Sequence, residues 1–116
     1  MLFGRDEMLL SCLATGYCEG DVGSTLNYMS FNLDVRRAYE AGDGDAAQDY
    51  QSKTVGVIDT FSLYPGLSIQ KDILALTGIE FGPMRLPQVG LDADQRSDLA
   101  KILKEKGVNI TTIDNY

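Results

Sequence analysis

The sequence predicts an α/β chain that is mostly helical: a strand end, a short helix, a second short strand, then four helices in succession. Three observations carry this. Met1-Leu2-Phe3 is a short apolar run cut off by Gly4, the pattern of the last residues of a buried strand. Apolar residues from position 31 onward recur at three- and four-residue steps, as one face of a helix demands. Stops at Gly16, Gly42, Pro65-Gly66, Gly78 and Gly107 divide these runs, because glycine ends a helix and proline cannot continue one.

In chain order, Asp6-Glu7 precedes Met8, Leu9, Leu10, Cys12 and Leu13, a short helix with acids at its positive N-terminal end. Residues 20–24 are brief and glycine-bounded, a second strand. Residues 30–41 place Phe31, Val35, Ala38 and Tyr39 on one helical side. Asp45 opens a longer helix in which Ala47, Tyr50, Thr54, Val57-Ile58 and Phe61 recur, with Pro65-Gly66 as the break. Residues 67–76 form another helix. Residues 81–87, Phe-Gly-Pro-Met-Arg-Leu-Pro, read as an irregular connector, since neither proline suits a helix interior. Asp92 with Gln95 makes a capping-box start for the last helix, striped by Leu99, Ile102 and Leu103.

The 116 residues, 44% hydrophobic and 23% charged, suffice for one small core and leave no room for two full domains. Two short strands do not stand alone as a sheet in water, and their edges need partners. The sequence therefore points to further strands upstream of Met1. A net charge of −7 repels nucleic acid and anionic membranes, so neither is an expected partner. Arg36-Arg37, the densest basic spot, reads as a solvated helix face. Cys12 falls in an apolar helical pattern and is expected as a buried thiol, and Cys12 with Cys18 fits no metal spacing. With no membrane-length apolar run and no signal peptide, the expected location is cytoplasmic. The absence of histidine removes Ser-His and Cys-His nucleophiles and His-dependent metal sites. No cofactor or metal is expected.

Three places offer chemistry. Gly4-Arg5-Asp6-Glu7 follows an apolar strand, where α/β folds hold ligands at strand C-terminal ends. Carboxylates there accept hydrogen bonds from sugar hydroxyls, although Asp6 and Glu7 equally suit a helix start. Gly23-Ser24-Thr25-Leu26-Asn27 again follows a strand and offers hydroxyls and an amide, or simply turn and cap residues. Without a lysine it is no phosphate loop. Lys71 is either a desolvated Schiff-base nucleophile or a surface lysine lying along its helix. Tyr39, Tyr50 and Tyr64 read as packing residues.

Together these stretches resemble the N-acetylneuraminate lyase branch of the dihydrodipicolinate synthase superfamily. The resemblance rests on Leu2-Phe3-Gly4-Arg5-Asp6-Glu7, Leu9-Leu10-Ser11, Val22-Gly23-Ser24-Thr25-Leu26-Asn27-Tyr28, Gln70-Lys71, and Gly82-Pro83-Met84-Arg85-Leu86-Pro87. The last of these looks like the animal-type enzymes. The resemblance implies the C-terminal part of a (β/α)8 TIM barrel, from the end of strand seven to helix eight, followed by a three-helix extension. On that reading residues 1–42 are the last βα units, 43–107 the extension and 108–116 a tail. A whole barrel needs about 250 residues.

The implied activity is that of a class I aldolase, which cleaves N-acetylneuraminate (sialic acid) to pyruvate and N-acetylmannosamine through a lysine Schiff base. Gly4, Asp6, Glu7 and Ser24 match the positions that bind the polyol of this sugar-acid substrate. Lys71 does not match the Schiff-base lysine; that residue and the catalytic tyrosine are expected upstream, so no residue here is assigned a catalytic role. The family also implies a homotetrameric parent. Residues 16–22 run one residue longer than the family's usual stretch, with Tyr17, Glu19 and Asp21 where small or apolar residues are common, and Leu26 stands where tyrosine is common. An unpaired aspartate on a barrel strand is costly to bury. Two other readings stay open: a superfamily enzyme for another 2-keto acid, and a non-catalytic helical module docking through Tyr50, Ile58, Phe61, Ile73 and Ile102.

Overall fold

The computed structural model describes residues 1–64 and 67–111. The chain forms two compact units that meet between Ile58 and Asp59. The expected Pro65-Gly66 break and the end of the tail lie outside the described residues.

In the first unit, β1 (Leu2–Phe3) lies parallel to β2 (Gly20–Asp21), with Leu2 opposite Gly20 and Phe3 opposite Asp21. Parallel strands need a crossover. A 3-10 helix (Asp6–Met8) running into α1 (Leu9–Ala14) supplies it. Leu9 and Leu13 on α1 bury against Val35, with Leu10, Cys18 and Tyr50 packed around them. Each fully buried side chain of this size contributes about 1.5–3 kcal/mol. The strand expected to be buried is open: Leu2 is 71% exposed, because within this unit β1 has one strand neighbour and no cover on its outer face.

After β2 come a second 3-10 helix (Ser24–Asn27), α2 (Phe31–Glu40) and α3 (Gly44–Ile58). Gly42 ends α2 at φ +78°. There Asp43 N donates to Ala38 O at 2.9 Å and Gly42 N to Tyr39 O at 3.0 Å, a glycine-closed helix end. Asp43 then accepts from Ala46 N at 3.0 Å, so α3 starts ahead of Asp45. Ala47, Thr54 and Val57 are buried along α3 as expected, whereas Phe61 belongs to a separate 3-10 helix, Asp59–Ser62. By contacts α2 and α3 stay together. The compact-unit border falls after Ile58, a division by contacts distinct from the 42/43 boundary between barrel and extension in the sequence reading.

The second unit holds α4 (Ser68–Leu76) and α5 (Ala93–Glu105). Ile69, Ile73, Leu76, Leu99 and Leu103 are buried. Ile73 is fully buried and so offers no docking face, contrary to the interaction-module reading. The α4 stripe turns it inward. Asp72, also buried, accepts from Arg96 Nε at 2.7 Å and from Leu91 N at 3.1 Å. The predicted capping box is present: Gln95 N donates to Asp92 at 2.8 Å and Asp92 N to the Gln95 side chain at 3.0 Å. Residues 108–111 are not loose, since Val108 is buried and Thr111 N donates to Leu76 O at 3.0 Å.

Candidate functional site

Both strands of the first unit end in the stretches singled out by sequence, and their parallel register brings those ends together. Val22 N donates to Phe3 O at 2.8 Å, which extends the pairing to the point where the chain diverges. Gly4 then lies beside Val22: a β-carbon on Gly4 would sit 3.3 Å from Val22 O. Gly23 lies against Asp6 more tightly still, since a β-carbon there would fall 1.5 Å from Asp6 Oδ1. Glycine at 23 is thus a packing requirement rather than a turn preference.

Asp6 is 4% exposed and caps neither its own 3-10 helix nor α1, neither of which has a side-chain cap. Its carboxylate crosses instead to the other strand end. Oδ2 accepts from Thr25 N at 3.0 Å and from the Thr25 hydroxyl. The Asp6 carbonyl accepts from Gln51 Nε2 at 2.9 Å, and Gln51 in turn accepts from Leu10 N at 2.9 Å. Hydrogen bonds to a buried carboxylate contribute about 1.5–3 kcal/mol each. Asp6 Oδ1 is buried and meets no hydrogen-bond donor among the described residues.

The network continues outward. Asn32 Nδ2 donates to Asp21 Oδ2 at 2.8 Å and reaches Thr25 Oγ1 at 3.4 Å. Thr54 Oγ1 donates to Asn32 Oδ1 at 3.0 Å. Asp21 is therefore not an unpaired strand carboxylate; α2 brings an amide to it. Burial still raises its pKa above the ordinary value of 3.8, with the Asn32 bond opposing and the Asp6 charge adding to the rise. Burial first, and the Asp6 charge next, push the Tyr28 phenol above its ordinary range, while Ser24 opposes. The Cys12 thiol is likewise raised by burial and by the neighbouring Cys18, and both cysteines are free thiols.

Of the four residues matched to polyol positions, Asp6 is bonded to Thr25 and packed on Gly23, the two chain neighbours of Ser24, and Gly4 lies beside Val22 O. Glu7 stands beside them on the 3-10 helix, 34% exposed and paired with Arg5 at 3.2 Å. That pair is near the surface and contributes little to stability. Ser24 is half-buried. The residues missed by sequence reasoning are Asn32, Gln51 and the role of Thr25. Asn32 carried a signal, a polar residue three places before the buried stripe position Val35 and so on the same helix face, but a lone asparagine on a helix is read as solvated by default.

Lys71 lies in the second unit, where Nζ donates to Pro83 O at 3.1 Å, a surface-type anchorage. That unit also has a cleft of about 350 Å³ lined by Lys71, Asp72, Met84, Val89, Leu91 and Arg96. Arg36 and Arg37 pair with Glu40 at 2.8 Å and Asp34 at 3.4 Å, as a solvated face does. Among the described residues no group of three or more His, Cys, Asp or Glu could hold a metal ion, and no helix is long and apolar enough to cross a membrane.

The model of the dihydrodipicolinate synthetase family matches residues 1–106. The chain is 38% identical over 93 residues to the N-acetylneuraminate lyase of Gallus gallus, covering 77% of this chain and 30% of that protein. To the N-acetylneuraminate lyase of Rattus norvegicus it is 41% identical over 90 residues, 75% of this chain and 28% of that one. Among solved structures, the N-acetylneuraminate lyase of Proteus mirabilis superposes with a TM-score of 0.80 at 31% identity, over 90% of this chain and 35% of the other. The chain thus spans about a third of the length of these relatives. On the match across nearly all its described residues, it belongs to the dihydrodipicolinate synthetase family.

Proposed function

We propose that this chain is the sugar-binding part of a Schiff-base aldolase that cleaves N-acetylneuraminate to pyruvate and N-acetylmannosamine. On this reading β1 and β2 are the ends of the seventh and eighth barrel strands. The observation that carries it is the joining of Gly4-Arg5-Asp6-Glu7 to Gly23-Ser24-Thr25 through the Asp6–Thr25 bonds at the C-terminal ends of parallel strands, where barrel enzymes hold substrate. Glu7 accepts hydrogen bonds from sugar hydroxyls, charge-assisted and so stronger than neutral ones. Ser24 donates or accepts with its hydroxyl. Gly4, lacking a side chain, lets the polyol approach the backbone. Asp6, whose Oδ1 is buried against Gly23, shapes the site through its bonds to Thr25. These contacts bind and orient the sugar.

The covalent step needs a lysine on a strand, and Lys71, on α4 with its ammonium on Pro83 O, is not that residue. The same reading gives the whole enzyme a cytoplasmic setting and a homotetrameric assembly. Incubation of the chain with pyruvate and borohydride, followed by intact-mass analysis, is expected to leave Lys71 unmodified. A stable adduct on Lys71 would contradict the division of labour proposed here.

A further inference from the structure

We infer that Thr25 is the positioning residue of this site and that it acts through Asp6. Thr25 is 1% exposed, in a slot that valine would fill with the same shape. Its hydroxyl caps no helix, for the 3-10 helix Ser24–Asn27 has no side-chain cap. The hydroxyl instead donates to Asp6 Oδ2 beside the bond from its own amide. Behind it the donors all run one way. Thr54 gives its proton to Asn32 Oδ1, Asn32 turns its amide toward Thr25 Oγ1, and Thr25 gives its proton to Asp6. Such a chain polarises along its length and strengthens the last bond, the one to the carboxylate.

The consequence is geometric. Asp6 Oδ1 lies where a β-carbon of residue 23 would be, so fixing the carboxylate fixes how closely Gly23 can approach. Ser24 lies between Gly23 and Thr25, and both of its neighbours are held by the same side chain. The Thr25 hydroxyl therefore sets where the Ser24 hydroxyl stands relative to Gly4 and Glu7. For its ligand this inference rests on the polyol reading above; for its mechanics it does not.

The test uses the full chain, labelled with 15N, and titrates N-acetylneuraminate while following amide shifts and amide hydrogen exchange. Thr25→Val removes the hydroxyl and keeps the shape; Thr25→Ser restores the hydroxyl. The valine variant is expected to fold, to bind the sugar acid roughly tenfold more weakly, the size of one lost bond to a charged group, and to exchange faster at Gly23 and Ser24. The serine variant should match the parent in both. A valine variant that binds and exchanges like the parent would overturn the inference. If the parent does not bind the sugar, the polyol reading fails, and exchange at Gly23 and Ser24 alone decides the positioning role. Should Thr25→Val not fold, Thr54→Val breaks the donor chain two links away; faster exchange at Ser24 in that variant supports the inference, and unchanged exchange overturns it.

Discussion

Asp6 opens a helix in the sequence, yet its side chain serves a strand end far along the chain. Both facts follow from the parallel register, which leaves Asp6 and Thr25 on adjoining strand exits and gives the carboxylate a backbone amide and a hydroxyl to accept from. Gly23 is the matching requirement on the other side. Its α-carbon is packed so closely on Asp6 that any side chain must displace a carboxylate held by two donors. Gly23→Ala is therefore expected to destabilise the protein by about 1–3 kcal/mol, the usual cost of overpacking a closed site. Urea unfolding measures it, and a midpoint equal to the parent's would show that the strand exits are looser than described.

At the scale of elements, the junction of β2 with α2 is where a polar side chain on a strand is made tolerable. Asp21 accepts from Asn32, but burial outweighs that bond and raises its pKa. A carboxyl whose folded pKa lies above its unfolded value favours the folded state most at pH below the unfolded value. That contribution is lost as pH rises through the folded pKa. Asp21→Asn cannot ionise and still offers an oxygen to Asn32. It is expected to melt at a higher temperature than the parent near neutral pH, with the gain shrinking as pH falls toward about 4. A gain that grows on acidification would reverse the sign of the argument. The elements themselves were largely legible: the α3 and α5 stripes, the Gly42 and Gly107 ends and the Asp92–Gln95 capping box follow from local spacing, whereas of the expected α2 stripe only Val35 is buried and Tyr39 is exposed. What spacing did not convey was which buried positions would be polar. Asn32 and Gln51 look like exposed helix residues until the strand exits are in place to receive them, because their partners, Asp21 and Asp6, are remote in sequence.

For the whole molecule, contacts divide the chain at 58/59, with Leu9, Leu13 and Val35 packed together in the first unit and Ile69, Ile73, Leu99 and Leu103 buried in the second. Composition counts apolar residues without saying how they partition between helices, so this division was not legible in it. The candidate site was legible as two stretches in the right order; their contact was not, since it depends on Thr25 and Gly23 meeting Asp6 across a crossover. On the proposed reading the strand exits of the first unit hold the sugar, and Lys71, in the second unit with its ammonium on Pro83 O, is not the residue that cleaves it. The most direct measurement is the amide-shift titration of the chain with N-acetylneuraminate. The account predicts shifts concentrated at Gly4, Glu7, Gly23 and Ser24, with the cleft at Lys71, Met84 and Arg96 unperturbed. Shifts centred on that cleft, or none at the strand exits, would contradict it.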